Sequence, residues 1–150
     1  MKQFRGKCFD EFNVGDKIET SYRKITKEDV LTFAKLSGDN NPLHIDEEFA
    51  KGTIFGRQIA HGMLTASIVT GLAAELGIFE GTVIAFMGVE AKFLAPVYFD
   101  DSIKTEIIVD EKKDANKVDR DVAVFLCRAI NQDDTVVAEC RWTIMLKRKR

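Results

Sequence analysis

The sequence predicts an α+β fold in which a strongly bent antiparallel sheet wraps one central helix. Three observations carry this reading. The stretch from His61 to Leu76 has helical length but no polar face: between Gly62 and Ala74 only Thr65, Ser67 and Thr70 are polar. A helix that is apolar all round is a buried helix. The chain after it falls into long period-two segments joined by short links, as antiparallel strands are. The chain before it holds one strand and two shorter helices. An open α+β sandwich is the alternative arrangement. At 150 residues the chain suits one domain, 1–150, with a sizeable core.

Residues 1–11 form an irregular arm, with Phe4, Phe9 and Phe12 tacking it to the body. Val14-Gly15-Asp16 turns into a strand over Lys17 to Lys24. Thr26 with Asp29 matches a capping box, and the helix it starts runs to about Leu36 on a stripe of Val30, Phe33, Ala34 and Leu36. Asp46 caps a short second helix, anchored by Phe49, and 52–59 is a loop. In the central helix, Ala66, Ser67, Thr70, Gly71 and Ala74 are small enough to let a sheet approach closely. Thr82 to Phe93 reads as a strand that Pro96-Val97 ends. Ser102 to Val109 alternates, and Asp110 to Asp119 is a charged hairpin loop. Arg120 to Ile130 is apolar on both faces and calls for cover on its second side, which a partner subunit would supply. Thr135 to Leu146 alternates cleanly. The basic end, 147–150, reads as a frayed, solvated tail.

Net charge is -2, which gives no field for nucleic acid. No apolar run follows a basic start, and none is long enough to span a bilayer, so neither a signal peptide nor a membrane partner is expected. Cys8, Cys127 and Cys140 are odd in number and form no Cys-x-x-Cys, which fits a cytoplasmic protein with buried thiols.

The stretch richest in chemistry is Leu36-Ser37-Gly38-Asp39-Asn40-Asn41-Pro42-Leu43-His44. Pro42 lacks an N–H and biases Asn41 towards extended angles. Gly38 opens dihedrals closed to other residues. A turn shaped in this way can aim Asp39 and His44 at one point, a minimal acid–base pair. The plainer reading is an Asx turn beside a solvated histidine. Asp39, His44, Asp46 and His61 offer donor atoms, but two histidines without a ligand spacing make no metal motif, and no metal is expected. His61 reads as a structural residue or helix cap.

Ser37 to His44, followed by Ala50, resembles the hydratase-2 motif of the MaoC-like, R-specific enoyl-CoA hydratases. Ile59-Ala60-His61-Gly62-Met63-Leu64 is similar to the start of their central helix, and Phe93-Leu94-Ala95-Pro96-Val97 to a following strand segment. The resemblance covers roughly residues 12–146. It implies a hot-dog fold, a homodimer or dimer of dimers, and reversible syn hydration of a trans-2-enoyl thioester to the (R)-3-hydroxyacyl thioester. Asp39 and His44 would be the catalytic pair. Asn41 would hold the turn, the Gly62 N–H would meet the thioester oxygen, and Ser67 would hydrogen-bond near Asp39. No cofactor is implied, because coenzyme A is part of the substrate. Its phosphates would meet a cation, with Arg57, Lys92 and Arg128 as candidates.

This chemistry suits these residue types. Hydration takes a proton from water at C3 and delivers one to C2, work that a carboxylate and an imidazole can share. The enolate-like oxygen needs preorganised donors, and a helix N-terminus supplies them. Two other functions use the same fold: a thioesterase, and a non-catalytic acyl-CoA-binding module. The acid–imidazole turn before the helix argues against both, since neither needs that pair.

Overall fold

The computed structural model describes residues 3–149. Its strands are β1 (Lys17–Glu19), β2 (Arg23–Lys24), β3 (Val83–Phe93), β4 (Ser102–Lys113), β5 (Arg120–Asn131) and β6 (Val136–Lys147). Its helices are α1 (Lys27–Ser37), α2 (Pro42–Ile45), α3 (Glu47–Lys51) and α4 (Gly62–Glu75). All strand pairs are antiparallel, in the order β1-β4-β5-β6-β3, with β2 also on β4. Helix α4, roughly 20 Å long at 1.5 Å per residue, lies across β4, β5 and β6. The predicted α+β arrangement of a sheet packed on a central helix is the one observed.

The core forms where these layers meet. Leu64, Val69, Leu72 and Ala73 of α4 pack with Ile107, Phe125, Cys127, Cys140, Trp142, Ile144 and Leu146. Phe12 and Phe79 close the end against Phe125, with ring centroids 5.1 Å apart in each case. Among the described residues no helix is long and apolar enough to cross a membrane.

Several elements differ from the expectation. The first strand is two short ones, because Thr20 interrupts it: its Oγ1 accepts from the N–H of Thr105, a bond a backbone carbonyl would otherwise make. Strand β4 runs on to Lys113 through a bulge between Val109 and Glu111, so the hairpin loop is shorter than its charges suggest. Helix α1 buries Val30 and Ala34, but Leu36 is 82% exposed. In α3 the buried residue is Ala50, and Phe49 stands in solvent.

Helix α4 is not buried on every side. Met63, Ser67, Thr70, Gly71 and Ala74 are exposed, so the sheet packs on the helix's branched face and leaves most of its small-residue stripe outside. On the second face of β5, Val122 and Leu126 are half-buried. Val124 is buried within the chain, between Glu111 of β4 and Thr143 of β6. A more exposed apolar row lies on edge strand β3, at Ile84, Phe86, Met87, Val89 and Phe93.

Both ends of the described chain are docked. In the arm, the N–H groups of Gly6 and Lys7 donate to the carbonyls of Glu80 and Ile78, and Phe9 is buried while Phe4 is exposed. Arg148 is not frayed. Its guanidinium pairs with Asp10 and Asp114, approaches Asp121 to 3.5 Å and donates to the Lys117 carbonyl. The reason is local: β6 delivers Arg148 to a point where three carboxylates and the Phe9 ring converge. Arg150 lies outside the described residues.

Candidate active site

The turn after α1 is built by short-range bonds. Gly38 ends the helix in the left-handed region (φ 81°), and its N–H donates to the Ala34 carbonyl. Ser37 Oγ donates to the Phe33 carbonyl at 2.7 Å and accepts from the N–H of Asp39 at 3.1 Å. Asp39 Oδ1 accepts from the N–H of Asn41, an Asx turn. Asn41 then caps α2 by accepting from Leu43, with Pro42 in the first turn, where a missing N–H costs nothing. One turn of α2 carries the chain to His44.

His44 is held from outside the turn by the segment read only as a loop. Its Nδ1 lies 2.8 Å from the carbonyl of Ile59, and its own carbonyl accepts from Gln58 Nε2. A carbonyl oxygen can only accept, so Nδ1 carries a proton and, in the neutral ring, Nε2 keeps the lone pair. Ile59 is fixed in turn by a bridge to Tyr98, and Ala60 donates to the Val97 carbonyl. Val97 and Tyr98 therefore anchor the loop that orients His44.

His61 completes the cluster. It is 2% exposed, its Nε2 lies 2.9 Å from the Asp39 carbonyl, and its ring stacks on His44 with centroids 3.9 Å apart and planes 27° apart. It is the N-cap residue of α4 by position only, since its side chain makes no cap bond. One nitrogen or oxygen each of Asp39, His44 and His61 lie within 4.8 Å of one another. The spacing admits one water, held by hydrogen bonds of about 2.8 Å. It does not suit a metal. Stacked rings cannot aim in-plane lone pairs at one ion about 2 Å away, and two of the four ring nitrogens already donate to carbonyls. Asp39 is exposed and, among the described residues, has no cationic partner.

Gly62 begins α4 and lines a cavity of about 250 Å³ with Phe55, Thr65, Phe93, Pro96 and Val137. A β-carbon there would stand 3.0 Å from the Phe93 ring, so the glycine makes room for an aromatic wall. A second cavity, about 400 Å³, lies between α4 and strands β3 and β6, lined by Met63, Ser67, Thr70, Phe86, Phe93 and Trp142. Ser67 faces that cavity. Its Oγ donates to the Met63 carbonyl one turn earlier, and no hydrogen bond among the described residues joins it to Asp39. Burial pushes the Cys127 and Cys140 thiols above their usual range, so neither is a ready nucleophile. Of the candidate cations, Arg57 stacks on Tyr98 near the first cavity. Arg128 is engaged with Glu106 and Glu139, and Lys92 sits beside Glu90, Glu139 and Arg141.

The structure thus brings Asp39, His44 and Asn41 together and places Gly62 directly after His61, at the same cluster. Sequence reasoning missed Gln58 and the Ile59 carbonyl, and joined His61 to the turn only within a metal-ligand set that it rejected. The one signal available was the position of His61 immediately before the helix.

The family profile described as "MaoC like domain" matches residues 11–125. The chain belongs to the MaoC-like family. The (R)-specific enoyl-CoA hydratase of Aeromonas caviae is 35% identical to it over 119 residues, covering 79% of this chain and 84% of that protein. Among solved structures, a monoamine oxidase regulatory protein from Archaeoglobus superposes with a TM-score of 0.90 at 35% identity, over 97% of each chain. The R-hydratase PhaJ1 of Pseudomonas aeruginosa superposes at 0.79 and 31% identity, over 95% of this chain and 86% of that one. The MaoC-like chain therefore has the hot-dog architecture of the R-hydratases. Its family comprises hydratases and dehydratases that act on acyl thioesters.

Proposed function

We propose that this MaoC-like chain interconverts trans-2-enoyl-CoA and (R)-3-hydroxyacyl-CoA, with Asp39 and His44 as the catalytic pair. The observation that carries the reading is the arrangement of three parts: an unpaired carboxylate, an imidazole whose Nδ1–H is tied to Ile59, and the uncapped N-terminus of α4. A water between the pair donates one hydrogen to the Asp39 carboxylate and the other to His44 Nε2. As its oxygen bonds to C3, one of the two groups takes its proton, and the pair returns a proton to C2 on the same face. Charge gathers on the thioester oxygen, where the Gly62 N–H and the positive end of the α4 dipole stabilise it. The apolar cavities beside α4 offer the acyl chain its space.

The working unit in this reading is a homodimer. The bare apolar row on β3, its unpaired edge and the exposed side of α4 with Met63 lie on the same flank of the fold, and a second copy would cover them.

The deciding assay follows enoyl absorbance with crotonyl-CoA and, in parallel, free thiol. The expected result is loss of absorbance without thiol, giving the (R)-alcohol. Thiol release would replace hydration by thioester hydrolysis. No turnover from crotonyl-CoA through medium-chain enoyl-CoA would overturn the proposal.

A further inference from the structure

We propose that His61 is a positioning residue that fixes both halves of the catalytic pair: Asp39 through its backbone carbonyl, and His44 through the face of its ring. The inference rests on the hydratase reading above. His61 lies 22 residues from Asp39 in sequence, yet its Nε2–H donates to the peptide carbonyl from which the Asp39 side chain springs. That bond limits the swing of the carboxylate.

The hold on His44 is complementary. The hydrogen bond to Ile59 holds one ring nitrogen at 2.8 Å, and a ring tied only there and to Cβ can still tilt and roll. A flat neighbour with its centroid 3.9 Å away stops the roll and fixes the direction of the Nε2 lone pair. His61 is itself wedged from another side by Phe33, at 4.9 Å between centroids. It is followed directly by Gly62, so one residue ties acid, base and anion site together.

The chemistry of the side chain supports this role over that of a space-filler. Nδ1 of His61 is buried without a hydrogen-bond partner among the described residues. Such a group lowers stability, and a phenylalanine or leucine would fill the space without it. Phenylalanine would stack on His44 but could not bond Asp39. Glutamine would reach Asp39 but present no ring. Of the three side chains, only the imidazole does both.

The test compares His61→Phe and His61→Gln with the wild type, using enoyl-CoA hydration and spectra of ¹⁵N-histidine-labelled protein. With the pair displaced, kcat should fall about a hundredfold in His61→Phe and about tenfold in His61→Gln, while KM changes little. Circular dichroism identifies any variant that fails to fold, and the other then carries the test. In the wild-type spectra His61 should be the Nε2–H tautomer and His44 the Nδ1–H tautomer. In His61→Gln the His44 signals should broaden or mix as the ring is freed to roll. Variants within about twofold of wild-type kcat, or a loss confined to KM, would overturn the proposal. If the wild type hydrates no enoyl thioester, the hydratase reading falls and the spectra decide alone. His61 protonated on Nδ1, or His44 unmoved in His61→Gln, then overturns the positioning role.

Discussion

The turn that carries Asp39 and the strand end that carries Arg148 are both rich in ionisable side chains, and the fold treats them in opposite ways. At the strand end the carboxylates gather on one guanidinium. The Arg148 side chain is 19% exposed, set among Asp10, Asp114 and Asp121 and beside the Phe9 ring. Its hydrogen bond holds the Asp10 carboxyl below the usual carboxylate range; the N–H of Asn116 and then Arg148 lower Asp114, and Asp10 raises Arg148. At the turn, the Asp39 carboxylate accepts one backbone N–H, from Asn41, and among the described residues has no cationic partner. Charges that answer one another make structure, whereas a charge left unanswered remains available to a substrate and its water.

The contrast can be broken in order of effect. Asp39→Asn and His44→Gln should each cost about 10²–10⁴ in kcat, with thermal midpoint and circular dichroism close to wild type. A variant with near-full turnover would remove its residue from the pair. Arg148→Ala should do the reverse, lowering the midpoint while kcat is kept, because it removes the guanidinium that faces the buried Asp121. The pH dependence sharpens the same point. A carboxylate lowered by folding contributes stability above its ordinary range and loses it as pH falls through the folded value. The stability gap between wild type and Arg148→Ala, wide at neutral pH, should therefore narrow below about pH 4. The smallest effect expected is that of Ser37→Ala. It removes the hydroxyl that accepts from Asp39 and donates to Phe33, so turnover should fall only a few-fold at nearly unchanged stability.

What the sequence made legible follows the range of the interaction. Gly38, Asp39, Asn41, Pro42 and His44 write their turn within seven positions, using residues whose backbone preferences are known, and the structure keeps that turn. The capping box of Thr26 and Asp29 is read for the same reason, and both of its bonds are present. The long strands announce themselves by period, and the central helix by its length without a polar face. What stayed hidden depends on partners far along the chain. The bond from His61 to Asp39 ends on a carbonyl, which every residue has and no side chain advertises. Gln58 looks like any loop glutamine. Leu36 and Phe49 fit an apolar stripe, but whether a stripe is covered depends on packing that lies beyond one helix. Arg148 reads as a loose basic end until β6 delivers it to Asp10, 138 residues away in sequence.

Strand β3 has a consequence for how the chain survives its own synthesis. An eleven-residue edge with apolar side chains in solvent is adhesive, and any extended segment passing by can add itself as another strand. Two features make this edge selective. Register shifts near Ala85 and Gly88 break its flatness, and Glu90 and Lys92 set opposite charges side by side within it. A straight, uncharged stranger meets steps and ions where it needs a level track, whereas a strand with matching steps and reversed charges can seat along its whole length.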